Sequence, residues 1–157
     1  MTQEILLPLA MLYANGKESV EGATRFQKLV FLSQKETDVE KTFMYRSDDF
    51  GPFSKELHAA LEELENRGII DRTIRTNRSG KETYIYTLTG FGERIIEQIQ
   101  ENNDAEEFED LLEQVEKTKS EYNNIPLDRL LQYVYSNHRN YTNNSKLDNI
   151  LEKLPGS

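Results

Sequence analysis

Two β-rich runs standing five residues apart constrain this chain more than any other feature. They are IIDRTIRT, residues 69–76, and ETYIYTLT, residues 82–89. Branched and aromatic residues dominate both, and NRSGK between them offers Gly80 for a positive φ, so the pattern predicts an antiparallel hairpin. Just before it, Leu57, Ala60, Leu61 and Leu64 form one helical stripe, with Ser54 as its cap and Gly68 as its C′ stop. Just after it, Thr89 caps a helix carrying Phe91, Ile95, Ile96 and Ile99 on one side. A hairpin held between amphipathic helices calls for an α+β fold, mainly helical.

Upstream, residues 3–14 place Ile5, Leu9 and Leu12 at helical spacing. Pro8 either kinks that helix or marks its first turn, and Asn15-Gly16 stops it. Residues 22–36, GATRFQKLVFLSQKE, predict a second helix with Phe26, Leu29, Val30 and Ser33 on one face and Arg25 and Lys28 off it, toward solvent. TFMYR, residues 42–46, reads as a short strand and SDDFGP as a turn. Downstream, QENNDAEE at 100–107 breaks the chain. Phe108, Leu111, Leu112, Val115 and Tyr122 then follow a heptad-like pattern over about two heptads. NNIPLD restarts a helix with Pro126 near its first turn and Leu127, Leu130, Leu131 and Val134 as its apolar face. The tail NNSKLDNILEKLPGS predicts one more short helix. The order helix, helix, short strand, helix, hairpin, helix is that of a winged helix-turn-helix, whose third helix reads DNA and whose hairpin is the wing. The expected division is a winged helix-turn-helix over residues 1–97 and a helical extension over 98–157, with a dimerising surface on the helices after residue 90.

The 157 residues suffice for a core without staples, and the absence of cysteine excludes disulfides, thiolate metal sites and cysteine nucleophiles. No run approaches the roughly 20 apolar residues of a membrane span. The start, MTQEILLPLAMLYANG, lacks the basic lead and cleavage site of a signal peptide. A soluble cytoplasmic protein with no membrane partner is expected. The formal net charge of −9 is uneven: residues 1–100 hold 13 Lys+Arg against 16 Asp+Glu, and residues 101–157 hold 6 against 12. Such a chain is a poor non-specific binder of nucleic acid unless its cations gather locally.

Three stretches, RFQKLVFLSQKE, FMYRSDDFGPFSKELHAALEELENRGII and YTLTGFGERI, resemble the YwgA-like group of small prokaryotic winged-helix proteins. YNNIPLDRLLQYVYSNHRNYTNNS looks like that group's C-terminal segment, so the resemblance spans about residues 20–146. A more distant likeness is to Panacea-type antitoxin domains, which also pair a Lys-Leu second helix with an aromatic-Gly-Pro turn before the third. The resemblance implies a winged helix and a regulatory role, and it carries over no catalytic residues.

The cations gather in the hairpin. DRTIRTNRSGK, residues 71–81, sets Arg72, Arg75, Arg78 and Lys81 against Asp71 alone, a net of +3. Such a wing suits a phosphate backbone or minor groove, and it equally suits an edge strand protected by charge. On the third helix the outward strip is Lys55, Ala59, Glu62 and Asn66, with His58 and Glu65 on one flank and Glu56 and Glu63 on the other. Lys55 and His58 lie at the groove-reading end, the later glutamates oppose DNA, and Arg25 and Lys28 would add backbone contacts. Most aromatics fall at core spacing rather than forming a stacking platform. His58 and His138 belong to no metal-ligand spacing, GFG at 90–92 is a helix start, and no motif points to an enzyme or a cofactor. The favoured reading is a DNA-binding transcriptional regulator, probed through Lys55, His58, Arg72, Arg75, Arg78, Lys81, Arg25 and Lys28, acting as a homodimer on double-stranded DNA. The alternative is a winged-helix protein-interaction module taking a basic protein partner, favoured by the acidic third helix and the acidic extension. The DNA reading requires Arg75→Ala with Arg78→Ala to weaken duplex binding far more than Glu62→Ala, measured by fluorescence anisotropy across stepped salt. Equal or absent effects remove the wing from the contact.

Overall fold

The computed structural model describes residues 2–141. The tail helix expected within 143–157 lies outside the described residues. The elements in order are helix α1 (Gln3–Lys17), strand β1 (Val20–Glu21), helix α2 (Ala23–Glu36), strands β2 (Arg46–Asp48) and β3 (Gly51–Phe53), helix α3 (Lys55–Asn66), strands β4 (Ile70–Thr76) and β5 (Glu82–Leu88), and helices α4 (Gly90–Gln100), α5 (Ala105–Tyr122) and α6 (Leu127–Asn137). A short 3-10 turn, Arg139–Tyr141, follows. The fold is α+β and mainly helical, with small antiparallel sheets.

The central element is α1. Leu6, Leu7, Pro8, Leu9, Ala10, Met11 and Leu12 are all buried, as expected of a helix that is apolar all round. Pro8 lies inside α1 and does not mark its start. The regular turns end before Ala14, where Asn15 and Gly16 adopt positive φ as the Asn-Gly stop predicts. Helix α5 is no appendage: Phe108, Leu111 and Val115 share one core with Leu6, Leu12, Phe26 and Leu64. Its heptad-like face is thereby used inside the chain. Leu130 and Val134 of α6 join the same core.

The hairpin forms as its sequence predicts, Ile70 facing Leu88 through to Thr76 facing Glu82. Asn77 holds the turn, its side-chain oxygen accepting from the Ser79 and Lys81 backbone N–H groups, and Gly80 sits at φ +82°. A third strand that no pattern announced, β1, pairs Val20 with Tyr86 and Glu21 with Ile85, so the sheet order is β1-β5-β4. The expected strand at 42–46 is displaced. Only Arg46 is extended into β2, and SDDFGP is a tight two-stranded hairpin rather than a plain turn, pairing Arg46 with Phe53 and Asp48 with Gly51. Residues 42–45 instead run as irregular chain held from α2, where the Gln34 side-chain oxygen accepts from the Thr42 and Phe43 N–H groups.

Helix ends follow the capping rules. Ser54 Oγ accepts from Leu57 N–H at 3.1 Å. At the far end of α3, Gly68 N–H reaches Glu65 O and Ile69 N–H reaches Leu64 O, the paired bonds of a Schellman stop with Gly68 at φ +72°. Pro126 is the N-cap residue of α6. Thr89 Oγ accepts from Gly92 N–H at 3.0 Å and its hydroxyl lies 2.6 Å from Gly68 O, locking α4 to the end of α3. Phe91, expected on the apolar side of α4, is instead 48% exposed, while Ile96 and Ile99 are buried.

That lock explains the two glycines of the helix start. A Cβ at Gly92 would stand 2.2 Å from Ile69 O, whereas one at Gly90 would meet only the Arg94 guanidinium at 3.8 Å. In urea unfolding, Gly92→Ala therefore loses roughly 2 kcal/mol or more, and Gly90→Ala stays within about 0.5 kcal/mol of the parent.

Candidate functional site

The second helix overturns one expectation. Arg25 and Lys28, expected to face solvent, are 8% and 2% exposed. The cause is enclosure. Every residue of α2 from Arg25 to Gln34 is buried, because β3 packs on one side and α5 and α6 on others. A one-face periodicity argument assumes a free face that α2 does not have. Arg25 donates to Tyr122 O at 3.1 Å and Lys28 Nζ to Pro52 O at 2.9 Å. Both cations thus pin backbone carbonyls of neighbouring elements. Burial pushes the Lys28 ammonium down to about 8, partly offset by the Asp48 carboxylate.

Between them, Gln27 does what no sequence signal indicated. Its amide nitrogen donates to Ser54 O and its oxygen accepts from Ser54 N–H, both at 2.9 Å. This pair fixes the residue that caps α3, so the start of the third helix is set from the second.

The remaining nominated cations are distributed unevenly. Lys55 is exposed on the first turn of α3. His58 Nε2 lies 2.8 Å from Glu62 on the same helix face. Arg72 pairs with Glu65 at 3.0 Å and its guanidinium lies 4.4 Å from the Tyr84 ring centre. Arg75 pairs with Glu21 of β1 at 2.5 Å. Arg78 and Lys81 sit exposed at the hairpin turn and form no ion pair among the described residues. Every residue of β4 from Asp71 to Thr76 is exposed, whereas β5 is buried at Ile85 and Tyr86 and half-buried at Thr83 and Tyr84, so the part that stands clear is the turn, residues 77–81. The structure therefore groups Lys55 with His58 on α3 and Arg75, Arg78 and Lys81 on the outer hairpin, ties Arg72 to α3, and removes Arg25 and Lys28 from the surface.

A cleft of about 230 Å³ opens where α2, the β2–β3 hairpin and α3 meet. Ala23, Phe53 and Leu61 line it with the stem of Lys28, and Phe50, 43% exposed, forms one lip. Asp48, Asp49, Thr24 and His58 supply the polar groups. The volume is below the roughly 300–1,000 Å³ of a drug-sized site, so it suits one side chain better than a cofactor. Phe50 and Phe53 read in the sequence as core aromatics and SDDFGP as a turn, so nothing there sets them with Asp48 at one cleft. The available signal was two phenylalanines flanking Gly51-Pro52, with Gly51 at φ +96° folding them to the same cleft.

At the other end of α2, Glu36 accepts from Tyr133 OH at 2.6 Å and meets His138 Nε2 at 2.9 Å. Phe31 packs edge-on to Tyr45, His138 and Tyr141. Tyr133 and Tyr141 thus pack the chain's own helices. Among the described residues no group of three or more His, Asp or Glu side chains could hold a metal ion, and no helix is long and apolar enough to cross a membrane. No protein-family model matches the chain, and no curated protein matches it in sequence.

Lys28 gives a pH signature of this site. Its folded value, about 8, lies below the unfolded 10.5. Between these values the unfolded chain keeps a proton that the folded chain has released, so stability rises with pH through this window. Urea titrations should show the Lys28 contribution growing by roughly 1 kcal/mol between pH 8 and 9.5. Lys28→Met should lose that share and keep the one from Lys119, whose ammonium is also brought down to about 8 by burial.

Proposed function

We propose that the chain is a protein-interaction module on a winged-helix frame, α1 to β5 supplying three helices and the hairpin, and that it takes a basic partner on the side of α3 and the β2–β3 hairpin. One observation carries this reading: the fate of its cations. Of the eight basic side chains a DNA contact would draw on, Arg25 and Lys28 are buried, and His58, Arg72 and Arg75 are paired with Glu62, Glu65 and Glu21. A matched cation displaces fewer counterions from a phosphate backbone, which is the main source of DNA affinity. The carboxylates of α3 also remain at the surface: Glu56, Glu62 and Glu63 are exposed, and although Glu62 meets His58 and Glu63 meets Arg67, the four acids from Lys55 to Arg67 outnumber the two Lys and Arg side chains there. Opposite charge across an interface steers encounter and selects partners. The resemblance to Panacea-type antitoxin domains points the same way.

A second reading keeps a specific support. The exposed hairpin turn with Arg78 and Lys81, together with Lys55, offers a DNA backbone three cations that are unpaired among the described residues. Three phosphate contacts would give a salt slope of about −2.7.

Two measurements on the purified protein separate the readings. Random-sequence duplex DNA is titrated by fluorescence anisotropy with salt stepped from low to physiological, and a random peptide display library is selected against the same protein. The interaction reading expects little duplex binding at low salt and enrichment of Arg- and Lys-rich peptides that Glu62→Gln with Glu63→Gln weakens several-fold. Duplex binding with a slope near −2.7, lost in Arg78→Ala with Lys81→Ala, and no basic enrichment would replace it with the DNA reading.

A further inference from the structure

We infer that the cleft between α2, the β2–β3 hairpin and α3 is the anchor point of the basic partner, receiving one apolar side chain flanked by Arg or Lys. The inference rests on the basic-partner reading and names its site. The interior is apolar: Ala23, Phe53, Leu61 and the methylene stem of Lys28 form its walls. The Lys28 ammonium is turned away into a hydrogen bond with Pro52 O, so it does not offer itself to an anion in the cleft. Thr24, Gln27 and His58 add polar groups to the lining, and an entering side chain meets carbon for the most part. The space, about 230 Å³, matches a single anchor.

The lip supplies the rest of the recognition. Phe50 leaves 43% of its surface in water at the mouth, ready to be covered. Asp48 and Asp49 line the same mouth, and Glu62 lies beside His58 on the adjoining face of α3. Carboxylates thus surround an apolar hole, and their complement is an apolar residue between basic ones. A buried anchor with charged neighbours at the rim is the usual division of labour at an interface. The architecture also holds the site open. Gln27 fixes the α3 start through Ser54, and Lys28 fixes Pro52, so both banks of the cleft are fastened to α2.

The test is a ¹H–¹⁵N NMR titration with three acetylated, amidated pentapeptides: Arg-Arg-Phe-Arg-Arg, Arg-Arg-Ala-Arg-Arg and Glu-Glu-Phe-Glu-Glu. The first should shift the amides of Ala23, Phe50, Gly51 and Leu61, and the other two should bind at least tenfold more weakly. Phe50→Ala, and separately Asp48→Asn with Asp49→Asn, should each weaken the first peptide at least fivefold while leaving the remaining amide spectrum in place. These positions are exposed, so loss of fold does not confuse the result. Equal binding of the Phe and Ala peptides, with shifts confined to Glu62, Glu63 and Glu65, would overturn the cleft and leave the basic-partner reading standing. Absence of binding by either basic peptide would overturn both.

Discussion

The structure hangs on one buried ammonium. Lys119 of α5 is 0% exposed and places Nζ 2.8 Å from Ala14 O, 2.6 Å from Glu18 O and 3.4 Å from Leu12 O. The last carbonyls of any helix lack partners within it, and a helix as enclosed as α1 cannot turn them to water. Lys119 meets that need from another element. Leaving such groups unpaired costs about 1–3 kcal/mol each, while burying the charge works against the arrangement. The balance is visible in the ammonium itself: burial brings it down to about 8, with the Glu18 and Glu116 carboxylates opposing, and it stays charged at neutral pH. Glu18 closes the arrangement. Its carboxylate accepts from Asn123 at 2.6 Å and from Asn124 and Asn15, and these bonds, Asn123 first, hold it below the usual carboxylate range despite its desolvation.

From this latch the rest follows in sequence. Fixing residues 14–18 brings Val20 and Glu21 alongside β5, and the two-residue β1 braces the base of the hairpin. With its base held between β1 and α3, the hairpin projects its turn, residues 77–81, as exposed chain. The same latch draws α5 against α1, and α5 in turn closes over α2, where Arg25 reaches Tyr122 O. The helices beyond residue 98 are thereby structural partners of the first half, with Phe108, Leu111 and Val115 in the same core as Leu12.

How much of this the sequence disclosed depends on the distance over which each decision was made. The hairpin, the Ser54 and Thr89 caps, the Gly68 stop and the apolar stripes of α3 and α6 are decided within a few residues, and they were legible. Strand β1 is two residues long and is a strand only because Tyr86 and Ile85 lie beside it, so no window of sequence could announce it. The orientation of Arg25 and Lys28 was misjudged for the same reason: their acceptors, Tyr122 O and Pro52 O, are 97 and 24 residues away. The cleft was half legible. Its α3 bank carries His58, already singled out, but its other bank is an eight-residue hairpin, Arg46 to Phe53, that turns back with Gly51 at positive φ.

The buried cations also change how the composition should be read. Arg25, Lys28 and Lys119 are all withdrawn from solvent, and no Asp or Glu among the described residues is buried. Burial leaves the net charge at −9 but withdraws these three cations from direct contact with a partner. Cations counted in the sequence as possible phosphate contacts serve instead as internal fasteners, each donating to a backbone carbonyl of a different element. Of the cations nominated for a DNA contact, those that remain at the surface lie on the hairpin and the first turns of α3, and three of them are matched, Arg75 by Glu21, Arg72 by Glu65 and His58 by Glu62. Three cations thus act inside the fold while every Asp and Glu among the described residues stays at least partly accessible, and the cleft between Phe50 and Leu61 lies among such acids, Asp48 and Asp49.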